Sequence, residues 1–269
     1  MNKLQEIVIE KRRQVESDKQ LQPVEMLGSS RYFNRKCLSV KEYIIRTDKS
    51  GIITEIKKQS PALGTINAGV DVGKLASGYE KAGASALSVL TDQKFFGGSN
   101  SDLVLARENT TCPILRKDFI IDAYQVYEAK SIGADVILLI AAILTRNEIE
   151  QFTSLAHQLG MEVILELHAA QELEKITGDI DVIGVNNRNL GTMKIDISTS
   201  KTMAEFLPSG MIKISESGIE NPEVVMELKQ LGYNGFLIGS NFMKHPEPEK
   251  ACADFIQQVN KLKKGTDGA

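Results

Sequence analysis

Short apolar or β-branched runs recur from residue 51 onward, at 51–56, 86–90, 113–115, 136–140, 162–167, 182–185, 211–214 and 235–238. The stretches between them carry apolar residues at helical period, as in 72–82 and 146–159. Gly83, Gly133, Gly160 and Gly232 each stand just before a run, where a left-handed residue ends a helix and turns the chain. Strands alternating with helices predict βαβ units and a parallel sheet. The run 136–140 is apolar at every position, as a strand buried on both faces requires. Eight such units predict an α/β fold, a (β/α)8 TIM barrel. A doubly wound open sheet is the alternative. No G-x-G-x-x-G follows the first run, which weakens a dinucleotide-binding reading.

Residues 1–50 differ in kind. Leu4, Ile7, Val8 and Val15 alternate with Glu6, Glu10, Lys11, Arg12 and Arg13 as in an amphipathic helix. Pro23 and Gly28 break that pattern, and Ser39 with Glu42 has the capping-box form that opens a short helix through Arg46. The expected organisation is an N-terminal helical extension, 1–50, packing on a catalytic barrel, 51–269. The extension holds 11 basic and 7 acidic side chains, whereas the whole chain has a net charge of −3. A basic segment could serve as a solvated flank or as a lid over one barrel mouth, and the residues alone favour the flank.

Composition narrows the function classes. A hydrophobic share of 42% supplies a large core, and a charged share of 25% excludes intrinsic disorder. The slight acidic balance argues against nucleic acid as a partner. The three cysteines lack any C-x-x-C pair and the three histidines any H-x-x-x-H pair, so neither a disulfide scaffold nor a metal site is expected. The longest apolar run, 136–144, is too short to span a bilayer. A cytoplasmic monomer with no membrane partner is expected.

In a β/α barrel the active site lies at the C-terminal ends of the strands. Ile53, Glu55 and Lys57 share one face of the first strand, Leu115, Lys117 and Phe119 one face of the third, and Ile164 and Glu166 one face of the fifth. Two lysines and two glutamates converging on one mouth can neutralise each other and form acid–base pairs. Partial burial and neighbouring cations are expected to lower a lysine pKa there. The seventh and eighth strands run into Ser215-Glu216-Ser217-Gly218 and Ile238-Gly239-Ser240-Asn241, small-residue turns of the kind that bind phosphate at helix N-termini. Asn186 and Arg188 share a face after the sixth strand and could hold hydroxyls and a phosphate. These residues describe a barrel enzyme acting on a phosphorylated substrate. They do not give the reaction.

Taken in order, the strand-end motifs resemble the indole-3-glycerol phosphate synthase family: Glu55-Ile-Lys-Lys-Gln-Ser-Pro61, Ser88-Val-Leu-Thr-Asp92 with Phe95-Phe-Gly-Gly-Ser99, Leu115-Arg-Lys-Asp-Phe119, Glu166, Gly184-Val-Asn-Asn-Arg-Asn-Leu190, Ser215-Glu-Ser-Gly-Ile219 and Leu237-Ile-Gly-Ser240. The N-terminal Ile7-Val-Ile-Glu-Lys-Arg12 is similar to the family's leading helix. The resemblance implies a carbon–carbon lyase of tryptophan biosynthesis. It would convert 1-(2-carboxyphenylamino)-1-deoxyribulose 5-phosphate to indole-3-glycerol phosphate, CO2 and water, with no cofactor and no metal. It also implies roles. Lys117 would be the general acid of ring closure, Lys57 the partner of the anthranilate carboxylate, and Glu166 the proton-transfer group of dehydration, assisted by Glu55. Phe96 and Phe119 would sandwich the aromatic ring, Asn186 would position hydroxyls, and Ser60, Glu216 and Ser217 would line the pocket. Arg188, Gly218, Gly239 and Ser240 would surround the phosphate. The basic extension becomes a partial lid. One position departs from the family pattern: Ser60-Pro61-Ala62 stands where a second serine is usual. Two other chemistries suit the scaffold, an Amadori-type isomerase and a Schiff-base aldolase, as does a non-catalytic phosphate-binding barrel. The isomerase prefers a cysteine or aspartate base, and no cysteine ends the first strand.

Overall fold

Each of the eight apolar runs forms a strand, and the eight close into one parallel barrel. The computed structural model describes residues 3–266. Its barrel strands are β1 (Ile52–Ile56), β2 (Ala86–Leu90), β3 (Ile114–Lys117), β4 (Val136–Ile140), β5 (Glu162–Leu167), β6 (Val182–Asn186), β7 (Ile212–Glu216) and β8 (Gly235–Ile238). They pair in chain order, and β8 closes on β1 with Ile53 opposite Leu237. Closure excludes the open sheet.

Side-chain alternation sorts the core into two layers. Ile53, Leu115, Leu138, Ile164, Ile214 and Leu237 cluster together inside the barrel. Their neighbours Ile52, Ile114, Ile137, Val163, Ile183 and Phe236 pack in a second cluster with the surrounding helices. The helix predicted over 72–82 is Val72–Lys81, and that over 146–159 is Arg146–Gln158. The latter opens on a full capping box between Thr145 and Glu148. Gly83, Gly133, Gly160 and Gly232 all have φ between 75° and 97°, the left-handed C-cap geometry read from their positions.

The N-terminal segment forms α1 (Lys3–Leu21), α2 (Val24–Leu27) and α3 (Val40–Ile45). Ser39 caps α3 by accepting from the Glu42 backbone N–H, and its hydroxyl donates to Glu162 at 2.5 Å. One expectation fails on α1. Lys11, assigned to the solvated face, lies buried on the same stripe as Ile7 and Val15, while Val8 is only partly covered. The i, i+4, i+8 spacing puts all three on the inward face, and burial of the charge is made possible by acidic partners.

At the base of the barrel, the end remote from the mouth, Asp135 joins extension to barrel. Its carboxylate accepts from Arg35 and the Leu38 N–H on one oxygen, and from Arg107 and the Ile114 N–H on the other. The side chain is wholly buried, so its charge is tolerated only with those donors in place. No described helix is long and apolar enough to cross a membrane. Asp135→Ala should lower unfolding stability by about 3–5 kcal/mol, the usual loss on breaking a buried ion pair, with kcat unchanged at temperatures where the variant is folded. Urea unfolding measures the first and a steady-state assay the second. A stability change under about 1 kcal/mol would remove Asp135 from this role.

Candidate active site

All fourteen residues singled out from the sequence line one cavity of about 600 Å³ at the C-terminal ends of the strands. Strand alternation brings them there. Glu55 and Lys57 follow Ile53 inward, while the next residue, Lys58, points away and pairs with Asp102 at 2.7 Å. Lys117 follows Leu115, and Glu166 follows Ile164.

The charges meet at the cavity floor. Lys117 Nζ donates to Glu166 and, at 2.7 Å, to Glu216. Lys57 Nζ donates to Glu55 on the neighbouring wall. The lysine pKa moves opposite to the sequence expectation. Burial works against the Lys117 charge, but Glu166, Glu216 and Glu55 outweigh it and raise its pKa. Carboxylates, not cations, are its nearest charges. Burial also favours the neutral form of Glu166, yet Lys117 and then His168 hold it well below the ordinary carboxylate range. Glu216 goes the other way. Burial raises it, Lys117 lowers it, and the ionised Glu166 raises it again, so it is pushed up to about 7. Its Oε1 is buried with no donor facing it, which disfavours the ionised form.

Two glycines make this crowding possible. A Cβ on Gly184 would sit 2.5 Å from Glu216 Oε1, and one on Gly239 would sit 2.2 Å from Glu55 Oε2. Both carboxylates therefore lie against bare backbone. Gly184 within β6 and Gly239 just after β8 are steric requirements of the acid cluster.

The rim differs in character. Phe96 and Phe119 stand 6.0 Å apart, centroid to centroid, tilted by 35°. A third ring between them would need roughly 4.5 Å or more to each centroid, so in this geometry the pair forms one apolar wall. Ser60 belongs to a short hairpin, Gln59–Ser60 with Gly64–Thr65, and its hydroxyl accepts from the Leu63 N–H. Ala62 is exposed at the tip. Asn186 Oδ1 accepts from the Arg188 N–H, and the half-buried Arg188 donates to the Met193 carbonyl at 3.1 Å. Ser217 and Gly218 are both left-handed, at φ 69° and 76°. For Ser217 that conformation is strained, and it is held by Asn187, whose amide donates to the Ser217 carbonyl at 2.9 Å. Gly239 is the N-cap of Ser240–Met243, whose first backbone N–H groups lack helical acceptors.

Sequence reasoning missed Asn187 and His168. Asn187 fixes the β7 loop through bonds to Ser215, Glu216 and Ser217, a role invisible without the fold. His168 places Nε2 3.1 Å from Glu166 Oε1, off line for a hydrogen bond; it sits two residues past Glu166, so alternation alone could have flagged it. Lys3, Leu4 and Ile7 of α1 complete the wall. Among the described residues no group of three or more His, Cys, Asp or Glu could hold a metal ion.

Comparison with known proteins agrees with this layout. The family model for indole-3-glycerol phosphate synthase matches residues 4–255. An indole-3-glycerol phosphate synthase of Bacteroides thetaiotaomicron is 46% identical over 256 residues, 95% of this chain and 98% of its own. That of Caldanaerobacter subterraneus is 41% identical over 258 residues, with the same coverage. Among solved structures, a chain of the tryptophan synthase complex of Pyrococcus furiosus superposes with a TM-score of 0.58 at 14% identity, covering 80% of this chain and 100% of that one, which speaks to the barrel fold alone. With the family model spanning nearly the whole chain and close relatives matching end to end, this chain belongs to the indole-3-glycerol phosphate synthase family, the carboxy-lyases that form indole-3-glycerol phosphate in tryptophan biosynthesis.

Proposed function

We infer that Lys117, Glu216 and Glu166 divide the proton transfers of the family reaction among them. The observation that carries this reading is the Lys117 ammonium set between two buried carboxylates whose pKa values are driven apart. Groups pushed apart in this way take opposite acid and base roles.

The substrate's aromatic carbon, the one bearing the carboxylate, attacks the ketone carbon. The ketone oxygen gains negative charge and takes a proton from Lys117. A new C–C bond has formed and a tertiary alcohol stands at the old carbonyl. The C–CO2 bond then breaks, returning its electron pair to the ring. In the last step that hydroxyl leaves as water with a second proton, and a neighbouring C–H proton passes to Glu166. The same oxygen thus receives two protons in succession. Glu216, 2.7 Å from Lys117 and titrating near neutrality, is suited to recharge Lys117 between them. The ion pairs also explain why an ammonium with a raised pKa can act. Substrate entering between Lys117 and its carboxylates would exchange a salt bridge for a developing alkoxide, a stronger partner in a water-poor site.

Lys57 and Glu55 suit the substrate carboxylate and its release, and the Phe96–Phe119 wall suits the anthranilate ring. Arg188, Gly218, Gly239 and Ser240 offer a guanidinium and backbone donors for the phosphate. Ser60, Ser217 and Asn186 are read as hydroxyl contacts along the chain between. Residues 1–50 act as a partial lid, contributing Lys3, Leu4 and Ile7 to the wall. A monomer is taken as the working unit.

The chain contains no tryptophan, so indole fluorescence from product should rise over a weak tyrosine background when the carboxyphenylamino-deoxyribulose phosphate is supplied. In that assay Lys117→Ala should lose about 10²–10⁴-fold in kcat, the usual cost of removing a general acid. A loss under threefold would take Lys117 out of the mechanism. Glu216 is protonated below its pKa and ionised above it, so wild-type kcat should fall as pH rises through about 7. Glu216→Gln should abolish that limb; a limb that persists unchanged belongs to another group. Arg188→Ala should raise KM by roughly ten- to a hundredfold, from a charged hydrogen bond worth about 1.5–3 kcal/mol, with kcat little altered because phosphate binding is uniform. Inorganic phosphate should inhibit the variant less than wild type, and unchanged KM with unchanged inhibition would leave only the backbone donors.

A further inference from the structure

We propose that Lys11 of α1 is a positioning residue for ring closure: buried beneath the helix, its ammonium clamps the loop after β2, which carries Phe96, to the end of β3, where Lys117 and Phe119 stand. Lys11 is 1% exposed and lies 2.8 Å from both Asp92 Oδ2 and Asp118 Oδ1, with a third bond to Gln14 at 2.9 Å. All three of its donors are engaged.

Asp92 lies in the loop after β2, and Asp118 is the first residue after β3. Asp92 uses its other oxygen to accept from the Phe95 N–H, capping the short helix Gln93–Phe96 that ends in the pocket wall. Asp118 directly follows Lys117 and accepts from the Phe119 N–H at 2.8 Å. Its second oxygen takes the Thr91 hydroxyl at 2.7 Å and Arg116 at 3.2 Å. The Lys117 carbonyl in turn receives the Thr91 N–H. Each aspartate therefore fixes the backbone beside a pocket aromatic, and one ammonium fixes both aspartates. Arg116 cannot replace it, because that guanidinium is already shared with Glu128 and the Gln125 carbonyl. Burial would raise the Asp118 pKa, but Lys11 first and then Arg116 hold it down at about 2, so both partners stay charged across the working range.

Without Lys11, two buried carboxylates face each other and the loops bearing the acid and the aromatic wall lose their common anchor. Displacements of about 1 Å in a catalytic group can cost on the order of 10²-fold. This inference rests on the role given to Lys117. That role fails if Lys117→Ala keeps its kcat, whereas the present one is decided by Lys11 variants alone.

The test uses Lys11→Met and the charge-balanced double variant Lys11→Met with Asp92→Asn, in which the asparagine can still cap the short helix. Each is assayed for kcat and KM well below its own melting midpoint, measured by circular dichroism. The single variant should melt earlier and, while folded, lose about ten- to a hundredfold in kcat with a smaller change in KM, since the phosphate loops lie on other strands. The double variant should recover melting temperature yet keep at least a fivefold deficit in kcat, because charge balance is restored and the clamp is not. Should the single variant fail to fold, the double variant decides. A folded single variant with wild-type kcat, or a double variant within twofold of wild type, would overturn the proposal and leave Lys11 a neutralising charge only.

Discussion

Everything at the mouth of this barrel follows from the need to keep a buried ammonium at the floor of the cavity. Lys117 is held there by carboxylates on β5 and β7, and Glu55 adds to the same field. Opposite charges in low dielectric attract strongly, but two carboxylates around one cation cannot both be fully compensated. The consequence is a division of character: Glu166 stays ionised and Glu216 holds its proton to near neutrality. An ionised and a protonated carboxyl are thus distinguished by position in one cluster, although both are glutamates on inward strand positions.

The cluster imposes demands on residues that carry no charge. Gly184 and Gly239 leave space for two carboxylates, and Asn187 holds a strained Ser217 at the edge of β7. Beneath the mouth, the Arg116, Asp118 and Glu128 group and the Lys11 bridge extend the same logic outward into the layer between barrel and helices. Buried ions there are satisfied by fixed geometry, so the loops that bear Lys117 and the aromatic wall inherit that rigidity.

Much of this was legible in the residues. Eight apolar runs separated by stretches of helical period give the eight strands, and their number favours closure over the open sheet that the residues also allowed. Strand alternation separates Lys57 from Lys58, and it sends Lys117 and Glu166 inward. What could not be read were relations between distant segments. Lys11 looks solvent-facing because a lysine among charged neighbours on a helix is usually exposed; only Asp92 and Asp118, more than eighty residues away, make its burial tolerable. The direction of the Lys117 shift was misjudged for a related reason. Sequence shows that carboxylates and lysines converge, but not which lies nearest which. The Phe96–Phe119 spacing is likewise a product of two loops and carries no sequence signature.

The seam at Asp135 also bears on how the chain is made. Arg35 and the Leu38 N–H find their acceptor 97 to 100 residues later, Ser39 finds Glu162, and Lys41 finds Asp181. During synthesis the N-terminal helices therefore leave the ribosome well before any surface exists to receive them. At about 5–20 residues per second, that interval lasts on the order of 5–20 s. For most of it Lys11 lacks Asp92 and Asp118, and Val15 lacks Tyr124. The segment produced first thus waits for acceptors made about a hundred residues later.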